Sequence, residues 1–259
     1  GAAQFIIIAL RQTEVKIRNS GPLSFALPRA AKHDNINIFL IPRGHERTGK
    51  REEGESHMIA IIDYGAGNLQ SVRKAFDYLG VQTQVTSDPK VLLDAEAAIL
   101  PGVGAFGDSM QALESVGMVQ PIRDFVTSNR PFLGICLGMQ LLFEGSEESP
   151  GVPGLGILKG TIARIPAEKG LKIPHIGWNS LALRQQGGLF QGLEEEPYVY
   201  FVHSYYLHAS DPSIVSAQTE YGVVIDAAVC RGSLHAVQFH PEKSGKTGLA
   251  MLKNFAAML

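Results

Sequence analysis

Residues 131–143 read P-F-L-G-I-C-L-G-M-Q-L-L-F, and this stretch decides the fold. The apolar run 132–135 has the length of a fully buried strand. It runs into Cys136, and an apolar helical pattern follows. Gly134 and Gly138 stand two positions either side of the cysteine, giving G-x-C-x-G, the thiol form of the strand-turn-helix nucleophile elbow. In so tight a turn the central residue takes a strained backbone angle. Side chains at −2 and +2 would collide, so glycine is favoured at both. N–H groups at the start of the next helix point at the sulfur and favour thiolate over thiol. The Leu137 N–H is placed to donate to a developing oxyanion. An ordinary buried cysteine between two packing glycines has the same local pattern, so the assignment depends on the rest of the chain.

Outward from the elbow the chain alternates. An apolar strand at 58–62 precedes Leu69, Val72, Ala75, Phe76 and Leu79, spaced as one helix face, and Gly80 stands where a C-terminal cap belongs. Strands are expected at 81–86 and 97–100, helices at 108–115 and 119–128, and then the elbow strand. Alternating strands and helices imply a parallel α/β sheet covered on both faces, with sites at the carboxyl ends of the strands. Cys136 is at such an end. After residue 145 glycine and proline are dense. Short strands then dominate, at about 161–165, 198–202, 206–208, 214–219, 224–230 and 234–238. This predicts an antiparallel portion added to the sheet. A helix closes the chain, with apolar positions from Leu249 to Leu259 at steps of 3, 3, 1 and 3.

Composition narrows the function classes. The 259 residues carry net charge −2, which gives no electrostatic footprint for nucleic acid. No apolar run approaches the ~20 residues a membrane span needs. Two cysteines, Cys136 and Cys230, make no disulfide scaffold and fit a reducing, cytoplasmic compartment. Cys230 sits in a strand pattern and reads as buried and inert. No Cys/His set has metal-site spacing, so no metal and no cofactor is expected. Residues 1–57 stand apart. They hold nine Lys+Arg and six Asp+Glu, a charge of +3 against −5 for the remainder, and their patterning is poor. They read as a loosely ordered or non-native extension, and residues 58–259 as the domain.

A nucleophilic cysteine needs a base and a group that orients it. His240 follows the strand at 234–239 and lies in Q-F-H-P-E, with Glu242 two residues on. That spacing brings the carboxylate onto the imidazole, where it fixes the tautomer and stabilises the imidazolium. His-Pro-Glu alone also describes a surface turn; paired with a strand-end cysteine it means more. P-G-V-G-A-F-G-D (101–108) follows the strand before the nucleophile strand. Its glycines admit close backbone approach, and Val103 or Gly104 can supply a second oxyanion N–H. It lacks the Lys-Ser/Thr of a phosphate loop. Of the other histidines, His175, His203, His208 and His235 more often satisfy local hydrogen bonds than do chemistry.

With these pieces the chain from Met58 onward resembles the class I (triad) glutamine amidotransferases, whose fold is a flavodoxin-like parallel sheet flanked by helices. Within that class it is similar to the glutaminase subunits of imidazole glycerol phosphate synthases. D-Y-G-A-G-N-L (63–69), P-G-V-G-A-F-G-D, the elbow, P-H-I-G-W-N (174–179), Y-F-V-H-S-Y (200–205) and Q-F-H-P-E-K-S-G (238–245) carry the resemblance. P-G-V-G and P-H-I-G-W-N mark the particular subunit. The resemblance implies a Cys136–His240–Glu242 triad that hydrolyses glutamine through a thioester. It implies an oxyanion hole from Leu137 and Val103 or Gly104, in a loop whose peptide must reorient before its N–H points inward. It places glutamine against Gly102, Gln140, His203, Ser204 and Tyr205. It further implies ammonia transfer to a (β/α)₈-barrel cyclase in a heterodimer that makes imidazole glycerol phosphate and AICAR for histidine biosynthesis. Trp178, Asn179 and Lys243 would lie on the docking face. A lone tryptophan also suits core or rim packing, and Lys243 also suits plain solvation. The alternatives are the glutaminase subunit of anthranilate or aminodeoxychorismate synthase, a free-standing γ-glutamyl hydrolase, and a silent scaffold.

Overall fold

The computed structural model describes residues 58–259, apart from 66, 168 and 169. The extension expected over 1–57 lies outside the described residues. In chain order the elements are β1 (Ile59–Ile62), α1 (Leu69–Tyr78), β2 (Thr83–Thr86), α2 (Pro89–Asp94), β3 (Ala97–Gly102), α3 (Phe106–Ser115), α4 (Val119–Thr127), β4 (Phe132–Cys136) and α5 (Leu137–Gln140). There follow β5 (Gly145–Ser146), β6 (Gly160–Arg164), β7 (His175–Ser180), β8 (Ala182–Leu183), β9 (Tyr198–His203), β10 (Tyr205–Ala209), β11 (Val215–Tyr221), β12 (Val223–Arg231), β13 (Leu234–Val237) and α6 (Gly245–Ala256).

The main sheet has the order β2-β1-β3-β4-β13-β12-β11-β8. The first five strands are mutually parallel and the last three antiparallel. Strand periodicity sorts the apolar residues into two cores. Ala60, Ile62, Ala98, Leu100 and Phe132 face one side, packing with Leu113, Ile122 and Phe125 of α3 and α4. Ile59, Ile61, Ala97, Ile99, Leu133 and Ile135 face the other, packing with Phe76 of α1 and Leu252 and Phe255 of α6. Continuous apolar strands are what a sheet buried on both faces requires. Two small sheets, β10-β6-β5 and β7-β9, stand beside it.

The structure departs from the sequence expectations at four points. Residues 234–238 belong with the parallel strands, because β13 pairs with β4 in parallel register, Val237 opposite Ile135. Strand β7, with no expected element over it, forms through six registered pairs to β9. The elbow helix is a single turn. Its continuation is cut off because the carbonyls of Leu141, Leu142 and Phe143 accept from the N–H groups of Leu155, Ile157 and Gly156. One turn carries little macrodipole, so its influence on the sulfur is confined to individual N–H groups. Cys230 is half-buried rather than buried, its thiol against the Gly232 carbonyl at 3.7 Å.

The elbow packs at backbone distance on β3. A Cβ on Gly138 would lie 1.8 Å from the Leu100 carbonyl oxygen, and one on Gly134 would lie 3.0 Å from the Gly138 oxygen. Gly138→Ala is therefore expected to destabilise the domain by about 3 kcal/mol or more, the upper end of overpacking losses, since backbone rather than a side chain must move. Denaturant unfolding checks this; an unchanged midpoint would mean the strand yields.

Candidate active site

Cys136 ends β4 with φ 54° and ψ −110°, a non-glycine residue held in left-handed space as the elbow reading requires. On one side of it is the end of β3, with Gly102 paired opposite Cys136. On the other is the end of β13, beyond which the chain turns through Gln238 and Phe239 to His240. The backbone of His240 is clamped: its N–H donates to the Tyr200 carbonyl (2.9 Å), and its carbonyl accepts from the Ser244 hydroxyl (2.6 Å). Its ring Nδ1 lies 2.8 Å from Glu242 Oε1, and the two side chains are only 2% and 1% exposed. The Nε2 atom has no hydrogen-bond partner among the described residues and faces the sulfur. Since the carboxylate fixes the proton on Nδ1, Nε2 is the nitrogen available for proton exchange. Burial acts to lower the His240 pKa, but the Cys136 sulfur and the Glu242 carboxylate outweigh it and raise it from 6.5 to about 9. The side chains are thus arranged as a sulfur nucleophile beside an imidazolium that a buried carboxylate orients.

A cavity of about 290 Å³ opens over the sulfur. Its size suits a small metabolite, at the low end of ligand pockets. Val103, Gly104, Leu137, Gln140, Glu148, His203, Ser204 and Tyr205 line it together with Cys136 and His240. Gln140 donates to the Tyr205 carbonyl (3.1 Å) and to Gln238 Oε1 (2.9 Å), and Gln238 Nε2 approaches the sulfur at 3.7 Å. The arrangement can attack a carbonyl carbon, receive the oxyanion on backbone N–H groups and return a proton to the leaving group.

A model of the family "Glutamine amidotransferase class-I" matches residues 60–259. The chain belongs to that family. The imidazole glycerol phosphate synthase subunit HisH of Syntrophotalea carbinolica is 51% identical over 206 residues, covering 78% of this chain and 100% of the relative. The subunits of the same name from Caldanaerobacter subterraneus and Methanothermobacter thermautotrophicus are each 50% identical over 202 residues, covering 78% of this chain and 98% and 99% of theirs. Among solved structures, a chain of PurLQS from Thermotoga maritima aligns with TM-score 0.61 at 19% identity, covering 77% of this chain and 97% of that one. A structure titled glutamine amidotransferase aligns with TM-score 0.61 at 18% identity over 77% and 97%. These two bear on the fold of this amidotransferase.

The expected site residues divide. Cys136, Leu137, His240, Val103, Gly104, Gln140, His203, Ser204 and Tyr205 all line the one cavity, and Glu242 stands behind His240. Gly102, expected at the glutamine, is not among the lining residues. It lies beneath, where a Cβ would meet Tyr64 Oη at 2.7 Å and Gly138 N at 2.8 Å, so its role is to admit the elbow. Trp178 and Lys243 are exposed. Asn179, next to Trp178 in β7, turns the other way: its Nδ2 donates to the Glu220 carbonyl (2.9 Å) and its Oδ1 accepts from Ser180 N–H (2.9 Å). The structure therefore does not bring it to the face that Trp178 presents. Sequence reasoning missed Glu148, whose Oε2 accepts from the Phe106 N–H at 2.8 Å at the start of α3. The available signal was the acidic pair Glu147-Glu148 just beyond the elbow helix. Among the described residues no group of three or more His, Cys, Asp or Glu is set to hold a metal, and no helix is long and apolar enough to cross a membrane.

Folding raises the His240 pKa, so the native state holds that proton more tightly. The stability this adds is complete below pH 6.5 and is lost as pH rises through about 9. The stability gap between the native chain and His240→Gln should accordingly narrow across that window. The His240 ring should titrate near pH 9 by NMR, and at lower pH in Cys136→Ala or Glu242→Gln. A native midpoint below 7 would refute the paired state.

Proposed function

We propose that this chain is the glutaminase subunit of an imidazole glycerol phosphate synthase, with Cys136, His240 and Glu242 as its catalytic triad. The observation that carries the reading is the buried His240–Glu242 pair beside a sulfur held at a strained strand end over a small polar-edged cavity. The thiolate of Cys136 attacks the carboxamide carbon of glutamine. The oxyanion forms on the Leu137 N–H and on one from Val103 or Gly104. The tetrahedral adduct collapses as His240 Nε2 gives its proton to the departing nitrogen, releasing ammonia and leaving a glutamyl thioester. His240, now neutral, takes a proton from water as the water attacks the thioester, and glutamate leaves. The Glu148 carboxylate, with one oxygen committed to Phe106 N–H, offers the other to the α-ammonium of glutamine. The backbone of His203 to Tyr205 takes the remaining polar end.

The ammonia acceptor in this reading is a cyclase subunit with a (β/α)₈ barrel, bound one to one in the cytoplasm. The relatives' names, synthase subunits, support a partner. So does the surface. Ile176, Trp178 and Tyr198 are 58%, 56% and 57% exposed and share the outward side of β7 and β9. Trp178 packs edge-on to Tyr200 (6.1 Å, 73°) and reaches within 3.8 Å of a Cβ placed on Gly245, just past the exposed Lys243. An aromatic patch beside the triad turn has the make-up of an interface centre.

Glutamate release from glutamine, with and without the cyclase subunit and its ligand, tests the chemistry. Cys136→Ala should remove activity by about a thousandfold or more, and Glu242→Gln by about a hundredfold or more. Activity that survives Cys136→Ala would end the thioester reading; full activity without any partner would favour a free-standing hydrolase. Trp178→Ala should weaken the complex roughly 30-fold, about 2 kcal/mol, by titration calorimetry. An unchanged affinity would place docking elsewhere.

A further inference from the structure

His175 in β7 and His203 in β9 are cross-strand partners, both buried, with His175 Nδ1 3.0 Å from His203 Nε2. Their proton positions follow from groups that can act in only one sense. The Tyr205 carbonyl can only accept, so His203 Nδ1, 2.9 Å away, carries a proton. Neutral His203 then has a bare Nε2, and His175 Nδ1 must donate to it. That leaves His175 Nε2 as an acceptor. It lies 3.5 Å from Asn179 Nδ2, and the Asn179 amide is oriented independently by Glu220 O and Ser180 N–H so that this nitrogen is the donor. The two ends agree, and the line has one consistent direction. It ends on the carbonyl that also holds Gln140, and through Gln238 it reaches the sulfur.

We propose that His175, which lies outside the cavity, is a positioning residue for glutamine: its Nδ1–H holds His203 as the Nδ1–H tautomer, and His203 thereby pins the Tyr205 carbonyl and the Gln140 amide at the binding edge. In the other tautomer a bare Nδ1 would face the carbonyl, and the two acceptors would repel. Burial lowers the His175 pKa to about 4. Burial, together with the neighbouring histidines His175 and His240, lowers that of His203 to about 3 against the opposing pull of the Tyr205 carbonyl. Both rings are thus neutral at working pH, so the one-way order persists. His175 is also stacked between Phe201 (4.7 Å, 20°) and Tyr221 (3.9 Å, 17°), and packing must be separated from hydrogen bonding.

The inference rests on the glutaminase reading, and the tests keep the two apart. In the full-length chain, a two-bond ¹H–¹⁵N correlation spectrum should show His175 and His203 both protonated on Nδ1. A proton on Nε2 of either overturns the proposal whatever the activity. In the complex with the cyclase subunit, His175→Phe keeps the aromatic stack and removes the donor. It should raise KM for glutamine about tenfold while kcat changes less than about threefold, the range for a buried acceptor left unpaired. His175→Asn, whose Nδ2 takes the place of Nδ1, should recover most of that loss despite losing the stack. Equal damage in both variants, or kcat falling with KM unchanged, would reduce His175 to packing. No glutamate release by the native complex would sink the glutaminase reading, and the tautomer spectrum would still decide the hydrogen-bond line.

Discussion

The approach of the elbow to β3 is the contact on which the rest depends. Gly138 sits against the Leu100 carbonyl, and a Cβ on Gly102 would meet the Gly138 nitrogen at 2.8 Å. That approach fixes where Cys136 leaves β4, and it sets the 101–104 segment beside the sulfur. Parallel pairing of β4 with β13 then delivers His240 from the other side. The strained φ of Cys136 is sustained because two cores grip the strand on opposite faces, Phe132 in one and Leu133 and Ile135 in the other. Backbone groups beyond α5 find partners in residues 154–158, so the helix stops after one turn without leaving carbonyls unpaired.

Buried polar groups in this domain are nearly all engaged, which gives the exceptions meaning. Among the described residues three buried side-chain atoms have no partner, and two of them, His240 Nε2 and Glu242 Oε2, belong to one pair. A buried imidazolium N–H without a hydrogen-bond partner is unfavourable in a resting core and useful in a proton-transfer site. By contrast, Gln140, Gln238, His175 and His203 are satisfied along one line. The chemistry is thus concentrated in one unsatisfied pair, framed by a polar network that has little freedom to rearrange.

Much of this was legible in the sequence, for a physical reason in each case. Parallel strands buried on both faces must be apolar throughout, so β1, β3 and β4 stand out. The elbow requires two glycines around its central residue, and an i, i+2 His-Glu pair is local, so both the elbow and the His240–Glu242 contact can be read without a fold. What was not legible depends on pairings distant in sequence. β7 alternates small, polar and aromatic residues and becomes a strand only because β9 lies beside it. Glu148 reads as one of a run of surface acids until α3 is seen to begin against it. Asn179 and Trp178 are neighbours in sequence, and only the strand pleat sends one inward and the other out. The parallel direction of β13 cannot be seen in its four residues; it follows from β4 being its neighbour.

Strand β9 explains why the cavity and the exposed face are close neighbours. Its outward side chains, Tyr198 and Tyr200, lie with Trp178. Its inward ones, Phe201 and His203, reach the core and the cavity wall. Its backbone does further work: the Tyr200 carbonyl accepts from His240 N–H, and the Tyr200 N–H donates to the same Ser244 hydroxyl that holds the His240 carbonyl. One strand therefore contributes to the outer surface, to the clamp on His240 and to the cavity lining. A shift of β9 by even a fraction of an ångström would move all three together, since a registered strand translates as a unit. The parallel sheet brings Cys136 and His240 together from its strand ends. The β7–β9 pair joins the exposed Trp178–Tyr200 contact to the backbone clamp on His240.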